Sequence, residues 1–538
     1  MKATLLIQNA RIRPLDDKIR EAESIAVIGD RILAVGMNGD LAGLAGPDTR
    51  VLDLSGRVVL PGFIDAHQHF STFSQFPLQL NLSPSKVDTI AKMLDSIASE
   101  TKHLPPGEWI RGRGYDHTKI KDGRLPSRAE LDAVSPLHPV VLVHVSAHGA
   151  IVNSEALRRG RLDVKTPDPV GGKYVRFPGT GELTGELVGM AAFNFYSENM
   201  SGGRMVVPPF ERPIRKKALI EAAKILNKVG ITGVHDASVA PSYITSYHDA
   251  CRDNLLTLRV NMLIPYQWLS DLERIGLVGN WGNEWARSTG VKIVIDGAIA
   301  GCTAALKDGY SHNPEDHGLL YIADQGEIDQ LVRRAHIMGY QACLHANGDL
   351  AIEMALDAIE KAQTDDPRPD PRHRIEHCTM VNESILRRMR SLGVIATPFA
   401  SYLWQHSEKL VPYYGLKRAE AMFAHKSFLD SGVKVAGASD HPAGLLPPLL
   451  GVQSMVTRKI PSGVVVGAEQ KISVEEAFKM YTRYAAYASF EEKIKGSLSP
   501  GHLADMVVLD RDPWKTKPEE IGEISVEMTI LGGRIVYP

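Results

Sequence analysis

The sequence predicts an α/β fold: a (β/α)8 barrel of the TIM type, a small β-sandwich built from both chain termini, and a large lid insertion after the first barrel strand. Three observations carry this. Apolar strand-like runs alternate with helical patterns eight times between residues 58 and 489, the two ends of the chain hold only short strand signals, and a long stretch, 71–211, separates the first barrel strand from the next unit.

At the N-terminus, TLLIQNARI, SIAVIGDRILAVG and TRVLDLSG are apolar runs bounded by Gly, Asp and Asn, the signature of short strands joined by turns. LADMVVLDRD, VEMTILGG and RIVYP have the same character at the other end. Residues 1–57 and 490–538 are therefore expected to form one discontinuous sandwich domain around a barrel domain of residues 58–489.

The barrel strands are read from the run after Val58, then ITGVHDA (231–237), LRVNMLI (258–264), VKIVIDG (291–297), YQACLHA (340–346), HRIEHC (373–378), VIATPFA (394–400) and KVAGASD (434–440). Helices between them are signalled by residues 212–229 before Gly230, by Ile352, Leu356 and Ile359 after Asp349, and by Ile385, Met389 and Leu392 between Asn382 and Gly393. A closed parallel barrel carries its site at the C-terminal ends of its strands. The insertion 71–211 is too long for a plain βα loop and must have structure of its own; a lid over the barrel mouth is expected.

Composition narrows the class. The chain has 538 residues, 44% of them hydrophobic, and a net charge of −2, enough to bury a large core and without the basic footprint of a nucleic-acid binder. MKATLLIQNARIRP is interrupted too early for a signal peptide and no stretch approaches a membrane span, so a soluble, cytoplasmic protein is expected. The four cysteines lack a CxxC pair, which argues against a thiolate metal site or a disulfide framework. The expected partner is a small-molecule substrate, with no nucleic acid and no membrane; a homo-oligomer is left open.

The candidate site begins in PGFIDAHQHF, where His67 and His69 sit at i and i+2 and so share one face of a strand. Two such imidazoles can reach one metal ion, although the pair alone is weak evidence. Its setting adds weight: His345 closes YQACLH, His377 closes HRIEH, Asp440 closes KVAGASD, and Lys292 stands in the apolar run VKIVIDG. A strand-end histidine is ordinarily structural and a strand-end Asp often caps a helix. Here all of them fall at one rim.

Lys292 admits two readings. It can pair with Asp296, which alternates with it, or burial can depress its pKa and leave a neutral amine open to carbamylation by carbon dioxide, giving an anion able to bridge two metals. A rival motif is His373 to His377, H-x-x-E-H, which matches an inverted zinc-protease signature only if helical. The segment follows PRPDPR and precedes a separate helix, so a strand is expected, with the two histidines ~13 Å apart.

PGFIDAHQH, VKIVIDG followed by TAAL, HANGD, RIEH, ASDHP and the late PGHLADMVVLD together resemble the amidohydrolase superfamily, in particular its family 3, the YtcJ-like branch. The likeness spans nearly the whole chain, including WIRGRGYD and HGAIVNSEAL in the insertion. It implies hydrolysis of carbon–nitrogen bonds other than peptide bonds by a metal-activated hydroxide, with His67, His69, Lys292, His345, His377 and Asp440 at the ligand positions. Two divalent ions, zinc, are expected: one held by His67, His69 and Asp440, the other by His345 and His377, with carbamylated Lys292 between them. Asp440 is the expected proton acceptor and donor, and His148 is expected to help hold the substrate carbonyl oxygen. Trp109, Tyr115, Asp116 and Trp404 are the expected substrate contacts. The insertion departs from the family pattern at Ser146-Ala147-His148, where Asp-Gly-His is usual, and at Tyr115, where Trp is usual. Deamination, decarboxylation or isomerisation on the same scaffold, or a non-enzymatic role, are the alternatives.

Overall fold

Seven parallel strands pair in chain order in the computed structural model, which describes residues 1–19 and 21–538. They are Phe63–Gln68 (β1), Ile231–Ala237 (β2), Arg259–Pro265 (β3), Ala286–Val294 (β4), Gln341–Ala346 (β5), Arg374–His377 (β6) and Ile395–Thr397 (β7). Every pairing between neighbours is parallel. Each residue of β1, β2 and β3 is buried, as expected where side chains pack on both faces of a parallel sheet.

The eighth expected strand, KVAGASD, is not a regular strand. It nevertheless bridges the gap: Ala396 N donates to Lys434 O and Ala436 N to Ala396 O on the β7 side, while Ala66 N donates to Gly437 O and Asp440 N to His67 O on the β1 side. Its irregularity has a local cause. Gly437 lies against Tyr481, whose ring a Cβ at that position would meet at 3.1 Å, and Asp440 ends the segment at φ 58°, in the left-handed region. The barrel is nearly closed rather than a uniform eight-stranded ladder.

The helix signals hold with small shifts. Arg212–Asn227 stops before Gly230 at φ 82°, and Asn382 caps Glu383–Ser391 by accepting from Ile385 N at 3.0 Å. Asp349–Asp365 starts directly after Gly348.

The chain divides into two compact units, Met1–Phe70 with Ile220–Val239 and Tyr247–Pro538, and Ser71–Leu219 with Ala240–Ser246. In the first, the two chain ends pair directly: Val58–Pro61 lies antiparallel to Met506–Leu509 inside a five-stranded sheet. A second, four-stranded sheet is built from Leu5–Gln8, Ser24–Ile28, Arg31–Gly36 and Arg50–Asp53. Ile7, Ile25 and Val27 of one sheet share an apolar cluster with Val59, Met506, Val508 and Ile530 of the other. The five-stranded sheet is fastened to the barrel at Arg259 on β3, which is buried and donates to both oxygens of Asp505 at 2.6 and 3.0 Å.

The second unit contains a six-stranded sheet in the order Gly172–Arg176, Leu183–Gly189, Gly149–Val152, Val140–His144, Ile110–Tyr115, Leu80–Asn81. Alternate residues of Val140–His144 enter different cores, Val140 and Leu142 one and Val141 and Val143 the other, so both faces of the sheet are covered. No helix among the described residues is long and apolar enough to cross a membrane.

Candidate metal centre

β1 delivers two histidines that are held in the same way. His67 Nδ1 lies 2.5 Å from Glu376 Oε2, and His69 Nδ1 lies 2.7 Å from Ala237 O. Carboxylate and carbonyl oxygens only accept, so each Nδ1 carries the proton and each Nε2 is left with its lone pair. Both Nε2 atoms face Asp440 Oδ1, at 3.5 Å from His67 and 3.3 Å from His69.

Those spacings are diagnostic. Two ligands bound at about 2.0–2.1 Å to one tetrahedral ion sit roughly 3.3 Å apart. His67, His69 and Asp440 also form a group whose ligand atoms all lie within 4.8 Å of one another. Asp440 Oδ2 accepts from the Tyr402 hydroxyl, while the buried Oδ1 has no hydrogen-bond partner among the described residues. A buried carboxylate oxygen without a donor is costly unless a cation stands beside it, so this donor set fits a divalent metal.

Lys292, on β4, is 3% exposed, and its Nζ lies 3.4 Å from His67 Nε2. It is not paired with Asp296. That residue falls beyond the end of β4, and its carboxylate accepts instead from the backbone N–H groups of Ala305, Asn347 and Gly348, each at 2.9 Å. Burial lowers the Lys292 pKa. Burial also brings His67 down to about 4, with the charge of Lys292 adding to it, and His345 to about 3 for the same two reasons. Neutral imidazole is the ligand form of histidine.

His345 and His377 stand side by side, their ring centroids 4.0 Å apart, and His377 is 5.7 Å from His67. His345 Nε2 faces Gly297 O and Asn347 Nδ2, both at 3.2 Å, whereas His377 Nδ1 is buried with no hydrogen-bond partner among the described residues. His377 and Asp440, at φ 66° and 58°, both occupy the left-handed region at the ends of their segments. Such backbone costs on the order of 1 kcal/mol or more and collects at functional sites.

The structure separates the two histidines of H-x-x-E-H. His373 Nδ1 accepts from Ala342 N and its Nε2 meets His336 Nδ1, each at 2.8 Å, while Arg374–His377 is a strand. Three residues that sequence reasoning missed support the site. Arg374 binds Glu376 through Nε at 2.5 Å and Nη2 at 3.0 Å, Glu376 holds His67, and Tyr402 holds Asp440. Burial would raise the Glu376 pKa, but Arg374, His67 and Lys292 together outweigh it and hold the carboxyl well below the usual range. The available signal was Arg374 and Glu376 at i and i+2, two opposite charges on one face of a buried strand.

The remaining expected residues are spread more widely. Trp404 is half-buried in the helix Tyr402–Tyr414. Trp109, Tyr115, Asp116 and His148 belong to the second unit. Trp109 packs edge-on against Phe195 at 6.1 Å and Tyr115 is 2% exposed, each inside an apolar core of that unit. His148 lies edge-on to Phe193 at 5.4 Å, and Asp116 accepts from Thr118.

The barrel with its strand-end histidines, lysine and aspartate is the architecture of a metal-dependent hydrolase. Residues 50–537 match the amidohydrolase family model. The chain is 30% identical to the N-substituted formamide deformylase of Arthrobacter pascens over 99% of its own length and 98% of that protein's. It is 29% identical to the putative amidohydrolase YtcJ of Bacillus subtilis (strain 168) over 91% of each. Among solved structures, an uncharacterized metal-dependent hydrolase from Pyrococcus furiosus shares the fold, with TM-score 0.76, 24% identity, and coverage of 95% of this chain and 100% of that one. The chain belongs to the amidohydrolase family. It is a metal-dependent hydrolase of carbon–nitrogen bonds other than peptide bonds.

Proposed function

We propose that the substrate is a small N-substituted amide, cleaved at a centre of two zinc ions, with His67, His69 and Asp440 holding one and His345 and His377 the other. The observation that carries this reading is Asp440 Oδ1, buried without a donor and facing two histidine Nε2 atoms at 3.5 and 3.3 Å. Bound there, divalent ions lower the pKa of water and act as Lewis acids toward a carbonyl oxygen. Lys292 joins as a carbamate: burial lowers its pKa and so favours the deprotonated amine, whose nitrogen attacks the carbon of carbon dioxide and gives up one proton to solvent, leaving an anionic two-oxygen group.

Asp440 handles the proton. Tyr402 donates to Oδ2 and fixes the carboxylate plane, so that Oδ1, the oxygen on the metal side, can accept a proton from the attacking water and return it to the leaving nitrogen. The two terminal sheets form one sandwich domain of residues 1–57 with 490–538, to which Val58–Pro61 also contributes a strand. Residues 71–211 set substrate choice, because loops and insertions carry specificity where a rigid barrel carries the chemistry.

The formamide deformylase among the relatives makes N-formyl amides the first compounds to try. A hydrolysis screen across N-formyl, N-acyl and cyclic amides with added zinc, manganese or cobalt tests the proposal. Turnover confined to amides supports it. Metal-dependent release of ammonia from amino-heterocycles, with every amide inert, overturns it in favour of deamination.

A further inference from the structure

The helix Tyr402–Tyr414 follows soon after β7, and three of its polar side chains, Tyr402, His406 and Lys409, stand at i, i+4 and i+7 along one face. The helix is fastened on two sides of the barrel. Gln405 Nε2 donates to Ala443 O at 2.9 Å, a little beyond Asp440, and the Tyr414 hydroxyl donates to Ile299 O at 2.8 Å, beyond the end of β4. At the start of the face the Tyr402 hydroxyl donates to Asp440, so the face leads away from the metal centre. Exposure rises along it: Tyr402 is buried, His406 half-buried and Lys409 exposed.

The protein leaves the two basic side chains of this face without an anion of their own. The His406 ring stands edge-on to Tyr402, centroids 4.8 Å apart, and neither of its nitrogens has a hydrogen-bond partner among the described residues. Burial lowers its pKa to about 4, the Lys409 charge adding to this and Asp440 opposing it. At neutral pH the imidazole therefore offers one N–H and one lone pair. Lys409 has no ion pair among the described residues, and its Nζ makes a long contact with Ala300 O at 3.5 Å. Glu408 is exposed, and as the adjacent residue on the helix it does not face Lys409. The face thus presents an N–H donor and, about one turn further out, an ammonium.

We propose that this face reads an anion on the substrate: the N-substituent of the amide carries a carboxylate, which pairs with Lys409 and accepts from His406. The inference rests on the reading of the chain as an enzyme of N-substituted amides and narrows that reading to a substrate class. With the scissile carbonyl at the metal centre beside Asp440, the leaving nitrogen and its substituent extend along the helix face. Lys409 lies two turns from Tyr402, roughly 10 Å at 1.5 Å per residue, so the carboxylate belongs at the far end of the substituent rather than next to the nitrogen. His406 and Lys409 are neighbours on the helix surface, close enough for one carboxylate to engage both. Bonds from an ammonium and an imidazole N–H to a carboxylate are charge-assisted, and a neutral substituent forfeits them.

The test compares two probes that cannot be hydrolysed as amides, the methanesulfonamide of 4-(aminomethyl)benzoate and that of its methyl ester, by calorimetric binding to the zinc-loaded full-length chain. The acid should bind about 10-fold more tightly than the ester. That preference should shrink to about 2-fold or less in Lys409→Gln and fall in His406→Phe, which keeps a ring against Tyr402 but has no N–H, with bound metal as in wild type. Equal affinity for acid and ester in the wild type, or a preference that persists in Lys409→Gln, overturns the proposal. Should His406→Phe not fold, Lys409→Gln, at an exposed position, decides alone. Hydrolysis of the matching N-formyl compounds by the wild type separates this proposal from the amide reading. Acid-selective binding with neither compound cleaved would support the face and remove the amide reading, whereas cleavage of both at equal kcat/KM with equal binding would do the reverse.

Discussion

Glu376 Oε2 lies 2.5 Å from His67 Nδ1, and both side chains are fully buried. The pair is backed by Arg374, which binds both Glu376 oxygens and reaches Ala66 O at 2.5 Å and His235 Nδ1 at 2.8 Å. A carboxylate behind a histidine fixes its tautomer and raises its basicity.

Glu376→Gln should therefore lower metal affinity about 10- to 100-fold, since partners behind a metal ligand typically carry that much. It should also destabilise the fold by on the order of 3 kcal/mol, because the buried Arg374 charge loses its counter-ion. Metal titration together with urea unfolding reads both. Wild-type values in both would mean that His67 needs no such support.

Asp440→Asn should keep the fold and lose about 10²- to 10⁴-fold in turnover, the usual contribution of a positioned proton-transfer group. An amide cannot accept the proton. Turnover at the wild-type rate across neutral pH would leave Asp440 a structural residue and place the base elsewhere.

Lys292 divides one-metal from two-metal chemistry. An unmodified ammonium has three donors and no acceptor, whereas a carbamate offers two anionic oxygens. Lys292→Ala should lose most bound metal, and a small carboxylate at high concentration should restore part of the activity. Lys292→Arg should not recover, since a guanidinium stays cationic. Density at Nζ in a crystal grown near neutral pH settles the point: an unmodified lysine beside one fully occupied metal would contradict the bridge.

The Arg259–Asp505 pair gives a prediction about stability alone. Asp505 accepts from Arg259 through both oxygens and from Gly532 N at 2.8 Å, joining β3 to the C-terminal strands. Asp505→Ala leaves a buried guanidinium without its partner and should cost about 3–5 kcal/mol in urea unfolding. An unchanged midpoint would show that the terminal sheet contributes little to holding the barrel.

Much of this was legible in the sequence, for physical reasons. Continuous apolar runs between helical patterns identify strands buried on both faces, and β1 to β7 fall where those runs stand. KVAGASD has the same composition, yet Gly437 against Tyr481 and the left-handed Asp440 make it an irregular bridge, which periodicity does not register. His67, His69 and Asp440 were visible because a charged or imidazole group ending an apolar strand is unusual there. Glu376 was visible as a residue but not as a support for His67, since that depends on which strand lies opposite β1. That Trp109 and Tyr115 stand in apolar cores was not legible, because an aromatic in a long insertion looks the same in sequence whether it lines a cavity or fills a core.

The most direct test of the metal-dependent assignment follows hydrolysis of an N-formyl or N-acyl amide by enzyme stripped with a chelator, then repleted with zinc, manganese or cobalt, with bound metal counted at each stage. Turnover should vanish on stripping and return with the metal, and in His67→Ala and His69→Ala it should stay lost while the fold persists, because these ligands lie at the barrel mouth rather than in its packed layers. Full turnover by protein shown to be metal-free would contradict the account at its centre.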